Sequence, residues 1–174
     1  RTTRAMSERG VVFIHQDLGL VPSMSVAENI AQYAGYPTGR LGIRWPDTRR
    51  RARAALARLD IELDPDQPVA ELSIAEQAMV AVVRALARDA RLIVLDEPTA
   101  SLAAAEANRL FAALRALRTS GVGCLVVSHR LDEVLAHCDR VTVLRNGTLI
   151  DTRPTTGLTA RALVTMIVGH APGP

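Results

Sequence analysis

Leu92-Ile93-Val94-Leu95-Asp96-Glu97-Pro98-Thr99 decides the reading of this chain. Leu92 to Leu95 is an apolar run of strand length. Two adjacent carboxylates follow. Pro98 then stops the strand, because it has no amide hydrogen to give to a ladder. Ligands of open α/β sheets bind beyond the carboxyl ends of the strands. A carboxylate at such an end can hold Mg2+ in a phosphoryl-transfer site, and its neighbour can orient and polarise a water. Read alone, the pair also suits the start of a solvated loop.

Three other stretches carry similar signals. Glu71-Leu72-Ser73-Ile74-Ala75-Glu76-Gln77 places a serine at a helix start, where backbone N–H groups make an anion site. Read alone, the same residues favour an ordinary capping box of Ser73 and Glu76. Val126-Val127-Ser128-His129 delivers a histidine after a strand, where it could donate to a phosphate oxygen or serve only as a loop residue. Val12-Phe13-Ile14-His15-Gln16 ends a strand on a glutamine, which alone reads as a surface amide.

Working outward, short strands alternate with helical patterns, which predicts an α/β domain with a mainly parallel sheet. Strands are expected at Val11–His15, Leu92–Leu95 and Gly123–Val127. Ser25 with Glu28 opens a helix, and Gly35, Pro37, Gly39 and Gly42 then read as a long irregular connection. After Pro46 a helix carries Ala52, Ala55, Leu56 and Leu59 on one face. A further helix runs from Ile74 to about Arg88 with Ala78, Ala81, Val82 and Ala85 inward. Ala104 to Thr119 reads as a helix ended by Gly121. A short helix covers Leu131 to His137. Asn146-Gly147 joins Val141–Arg145 to Thr148–Asp151 as a tight hairpin, and a last helix spans Thr159 to Val168. These elements divide the chain into a sheet-bearing core (1–17 and 89–157), a helical insertion (18–88) and a C-terminal helix with its tail (158–174).

The chain has 174 residues, 48% hydrophobic and 3% aromatic, with a net charge of +3. That length and composition suit one folded domain and exclude disorder. No apolar run approaches the roughly 20 residues that span a bilayer. Cys124 and Cys138 form no CxxC pair and read as reduced, in a cytoplasmic setting. The positive charge is arginine alone, since the sequence contains no lysine. Its densest run, Arg49-Arg50-Arg51 with Arg53, reads as a solvated helix face, and no nucleic-acid partner is expected.

Taken together and in order, these stretches resemble the ATP-binding cassette (ABC) ATPases. Gln16 matches the Q-loop glutamine, and Leu72 to Gln77 the signature motif. Leu92 to Asp96 matches the Walker-B strand, Glu97 the catalytic glutamate and His129 the switch histidine. Ser101-Leu102 falls at the D-loop, with Ala103 where many members carry aspartate. Ser25-Val26-Ala27-Glu28-Asn29-Ile30, Pro98-Thr99-Ala100-Ser101-Leu102, Ser128-His129-Arg130-Leu131-Asp132-Glu133-Val134 and Leu163-Val164-Thr165-Met166-Ile167-Val168-Gly169 are similar to the first ATPase half of monosaccharide importers of the ribose, galactose and xylose type. Ile74 and Ala75 stand where the wider family commonly has two glycines.

The resemblance implies a partial P-loop NTPase (RecA-like) core with an ABC-type helical subdomain. It implies ATP as substrate and Mg2+ near Asp96 and Gln16, directly or through water. Glu97 and His129 would be catalytic, and Ser73, Ile74, Ala75, Glu76 and Gln77 would contact nucleotide. The implied partners are a second ATPase half or subunit closing head to tail, a transmembrane permease and, indirectly, an extracytoplasmic sugar-binding protein. The implied location is the cytoplasmic face of the cell membrane. The phosphate loop, G-x-x-x-x-G-K-[ST], has no match in the chain. It is expected before Arg1 in a longer parent protein, and the isolated chain is expected to be inactive. Two other functions fit the residues: a non-catalytic module that dimerises and completes a partner's ATP site, and a soluble ABC ATPase outside transport.

Overall fold

The computed structural model describes residues 6, 9–15 and 17–169. The chain divides into two compact units, one ending at Val127 and the other beginning at Ser128. The first contains β1 (Val11–Ile14), α1 (Val26–Ala34), β2 (Thr38–Gly39), β3 (Gly42–Ile43), α2 (Trp45–Ala57), α3 (Ile74–Leu86), β4 (Leu92–Asp96), α4 (Ala104–Thr119) and β5 (Gly123–Val127). The second contains α5 (Leu131–His137), β6 (Arg140–Arg145), β7 (Thr148–Pro154) and α6 (Ala160–Val168).

β4 is the middle strand of a three-stranded sheet ordered β1-β4-β5, with both pairings parallel. Ile14, Leu95 and Val126 lie side by side in register, as do Phe13, Val94 and Leu125 one residue earlier. Because successive side chains alternate between faces, these two rows belong to opposite faces. The Leu95 face is buried in the core with Ile93. On the other face Phe13, Leu125 and Val127 are 41%, 53% and 51% exposed. Parallel sheets usually have both faces covered. In the described residues only one face is covered. Gly10 enters the sheet with φ +76, and a Cβ there would meet the Arg91 amide nitrogen at 3.2 Å, so glycine is required by both conformation and space.

The helices between β1 and β4 pack against one another and against the covered sheet face within the first unit. Both expected capping boxes form. The Ser25 hydroxyl accepts from the Glu28 amide while the Glu28 carboxylate accepts from the Ser25 amide, and Ser73 and Glu76 do the same. Asn29 is fully buried, and its amide group bonds to the Val21, Met24 and Ser25 backbones, which fixes the loop before α1.

Two local expectations change. The Gly35–Gly42 connection is not irregular throughout: β2 and β3 form a short antiparallel hairpin, with Thr38 opposite Ile43. Gly42 takes φ +109 and lets the chain turn there. The helix from Ile74 ends at Leu86 rather than near Arg88, because Asp89 adopts φ +53 and turns the chain toward the Gly10 carbonyl that accepts from the Arg91 amide. A short 3-10 turn at Val69–Glu71 precedes it.

In the second unit Asn146 and Gly147 both have positive φ, as a primed hairpin turn needs, and β6 and β7 pair antiparallel. β7 continues to Pro154, three residues beyond the expected Asp151. Thr159 caps α6, and Gly169 ends it in the left-handed conformation. No helix among the described residues is long and apolar enough to cross a membrane.

Candidate functional site

β4 ends at Asp96, which is exposed and sits in register with Val127 of β5. The Glu97 amide donates to the Val127 carbonyl at 2.9 Å, so Glu97 is still tied to the neighbouring strand. Its backbone, however, has φ +48. That is the left-handed region, uncommon for a residue with a Cβ. Such positions persist where the surroundings hold them, and they gather at functional sites. Here the holder is the turn beyond. The Ala100 amide donates to the Glu97 carbonyl at 3.2 Å and the Leu102 amide to the Thr99 carbonyl at 3.1 Å, with Thr99 and Leu102 both buried.

A shallow, mainly apolar depression lies at this end of the sheet. His15, Leu18, Ile74, Glu97, Ser101 and Leu102 are among its lining residues. The fold thus brings together the end of β1, the start of α3 and the turn after β4, three stretches far apart in sequence. Asp96 and Ser73 lie outside that lining.

The start of α3 is a built helix N-terminus. Ser73 and Ile74 are exposed, Ile74 by 57%. The N–H groups of Ile74 and Ala75 belong to the first turn and have no carbonyl partner within the helix. The Ala75 side chain is buried, so only its backbone is available to a ligand. The Glu76 carboxylate is engaged with the Ser73 amide at 2.8 Å. The Gln77 side chain donates to the Leu72 carbonyl at 3.0 Å and so braces the entry to the helix. His129 is exposed in the second unit, two residues after β5. Gln16 lies outside the described residues.

Residues 1–100 match the family model described as "ABC transporter". The chain belongs to the ABC transporter family. It is 46% identical over 168 residues to the ribose import ATP-binding protein RbsA 2 of Rubrobacter xylanophilus, covering 96% of this chain and 32% of that protein. It is 44% identical over 162 residues to the ribose import ATP-binding protein RbsA of Burkholderia mallei, covering 92% of this chain and again 32% of the relative. The chain therefore spans about a third of the length of the curated relatives it matches. Among solved structures, a nucleotide-free ATP-binding cassette from an ABC transporter matches with a TM-score of 0.70 at 25% identity, over 88% of this chain and 64% of that one. The ADP conformation of another ABC cassette matches with a TM-score of 0.75 at 24% identity, over 98% of this chain and 72% of that one. Those likenesses establish the α/β cassette fold.

Among the described residues no group of three or more His, Cys, Asp or Glu is arranged to hold a metal. Mg2+ does not require one, since it is commonly held by one or two carboxylates together with substrate phosphates. An exposed Asp96 at a strand end, next to Glu97, fits that mode of binding in an ABC cassette.

Sequence reasoning missed one residue beside this site. Arg84 of α3 is only 8% exposed, yet it donates to the carbonyls of Leu18 and Gly19 at 2.5 and 2.6 Å. Its guanidinium lies 4.3 Å from the ring centroid of Tyr33. Burial lowers its pKa from the usual arginine value, while Tyr33 acts in the opposite direction. It anchors the loop that follows Gln16 to the helix that begins with Ser73. A lone arginine inside Met79-Val80-Ala81-Val82-Val83-Arg84-Ala85-Leu86 was the available signal.

Proposed function

We propose that this chain is the ATP-hydrolysing part of a sugar-import ATPase, acting with a second ATPase half or subunit on two ATP molecules. The observation that carries the reading is the Asp96–Glu97 pair at the end of β4, with Glu97 held in the left-handed conformation. Its likeness to ribose import proteins supports the direction and class of cargo.

Glu97 is the general base. It orients a water and takes its proton as the water oxygen attacks the γ-phosphorus and the bond to the β,γ-bridging oxygen breaks. Asp96, with Gln16, would hold Mg2+, which neutralises charge on the β- and γ-phosphates when bound. His129 donates to a γ-phosphate oxygen. Ser73 and the free amides of Ile74 and Ala75 face the ATP held by the opposite ATPase unit, with Glu76 and Gln77 keeping that helix start in shape. Residues 18–88 act as the helical subdomain that meets a transmembrane permease at the cytoplasmic face of the membrane. An extracytoplasmic sugar-binding protein delivers cargo to that permease.

A second reading rests on one fact. The sequence has neither a G-x-x-x-x-G-K-[ST] loop nor any lysine. The 174-residue chain by itself would then lend Ser73 to a partner's site without binding ATP on its own. Phosphate release at millimolar ATP separates the two levels. The chain alone is expected to show none, and a longer protein carrying both this segment and a phosphate loop is expected to hydrolyse ATP. Turnover by the isolated chain that Glu97→Gln abolishes would contradict the proposed need for a phosphate loop.

A further inference from the structure

The β2–β3 hairpin turns through Arg40-Leu41, set between the paired residues Gly39 and Gly42. Leu41 is 101% exposed. Tight turns ordinarily carry glycine or small polar residues at their tips, and a leucine here adds nothing to the core. Ile43 and Trp45 follow at alternate positions, 39% and 42% exposed. The segment is held in shape. The Arg44 amide donates to the Pro37 carbonyl at 2.8 Å, Tyr36 packs edge-on against Trp45 at 6.0 Å, and the Arg44 stem lies where a Cβ on Gly39 would meet it at 3.2 Å.

Around these apolar side chains the charge is one-sided. Residues 38–53 contain six arginines and a single acid, Asp47, and of the six Arg49 is paired with Asp66 from outside the segment. Asp47 pairs with both Arg44 (2.8 Å) and Arg50 (2.7 Å), whose side chains remain 64% and 73% exposed. The acid therefore orients two guanidinium groups without removing them from solvent.

We propose that this hairpin and the start of α2 form a contact with an anionic membrane surface. Leu41 and Ile43 enter the headgroup boundary, Trp45 sits at the interface, and Arg40 and Arg44 lie against lipid phosphates. The permease contact proposed for residues 18–88 needs a broader surface than this patch alone offers. A stable protein interface buries about 1,000 Å² or more, whereas this patch is one turn tip and two partly exposed side chains. A lipid surface needs apolar tips and cations, and no matching shape. The proposal does not depend on the ATPase reading.

Trp45 is the only tryptophan in the chain, so its emission reports on this segment alone. The probe is a series of extruded vesicles of phosphatidylcholine, with and without an equal part of phosphatidylglycerol. Vesicles with phosphatidylglycerol should shift Trp45 emission to the blue, shield it from acrylamide and sediment the protein. Pure phosphatidylcholine should do none of these, and high salt should weaken binding. Leu41→Asp and Arg40→Glu should each lower vesicle affinity at least about tenfold. Both positions are exposed, and an unchanged far-UV circular dichroism spectrum checks that the fold is intact. The proposal is overturned by no response to anionic vesicles, by an equal response to neutral ones, or by binding that survives both substitutions. It is also overturned if the same Trp45 shift arises from protein concentration alone, which would mean a second copy. A shift on adding duplex DNA that Leu41→Asp leaves intact would overturn it as well.

Discussion

The guanidinium of Arg84 lies 4.3 Å from the Tyr33 ring centroid while its N–H groups hold the carbonyls of Leu18 and Gly19. One buried side chain thus ties α1, α3 and the loop after Gln16 together. Hydrogen bonds from a charged group are worth about 1.5–3 kcal/mol, and carbonyls left unpaired in a buried site add to the loss. Arg84→Met is expected to lower stability by about 2–4 kcal/mol. Tyr33→Phe, which keeps the aromatic face, should change it by less than about 0.5 kcal/mol, and Tyr33→Ala should cost about 0.5–2 kcal/mol. Urea unfolding of the three variants checks the ranking. Equal losses for Tyr33→Phe and Tyr33→Ala would remove the ring–cation contact from the account.

The two faces of the sheet predict opposite sensitivities. Leu95 is 1% exposed and Leu125 53% exposed, although they lie on neighbouring strands. Leu95→Ala should cost about 2–5 kcal/mol, the usual range for a buried leucine. Leu125→Ala should cost less than about 1 kcal/mol, and Leu125→Thr should raise solubility by breaking an exposed apolar row. Chemical denaturation and a solubility titration test both. A loss at Leu125 as large as at Leu95 would mean that its face is covered.

Ser73 separates a structural role from a functional one. In the structure it caps α3, accepting from the Glu76 amide at 3.3 Å. If capping were its whole role, Ser73→Ala would cost about 1 kcal/mol, and Ser73→Asn or Ser73→Asp would be tolerated, because both cap well. If it also faces a γ-phosphate, Ser73→Asp should reduce ATP turnover more than Ser73→Ala, since it sets like charges against each other. Thermal stability and ATPase rates of the full ATPase assembly rank the variants. A near-normal rate for Ser73→Asp leaves the cap alone standing.

Local chemistry explains what the sequence made legible. The strand ending in Asp96-Glu97 and Pro98, the two S-x-x-E caps and the Asn146-Gly147 turn each depend on residues a few positions apart. Their partners are therefore fixed by spacing. The β2–β3 hairpin was hidden because its strands have two residues each, too few for any alternation to show. The Arg84 ties join positions 65 and 66 residues apart, and such contacts leave no periodic trace. The open sheet face was equally invisible, since an apolar run does not say whether one or both of its faces will be covered. Among the site residues, Asp96, Glu97 and the Ser73 helix start were readable as chemistry. The left-handed backbone at Glu97 was not, because no glycine or asparagine marks it.

The account turns on Glu97, and exchanging its carboxylate for an amide isolates the base from the shape. In a protein that carries this segment together with a phosphate loop, Glu97→Gln should leave ATP binding within about twofold. It should cut the single-turnover hydrolysis rate about 10²–10⁴-fold, the span attributed to a positioned general base. Binding measured with labelled ATP and the rate measured by rapid quench on the same preparation decide the matter. Retained binding with that loss of rate is the result expected of Glu97 as the base. An unchanged single-turnover rate would contradict it.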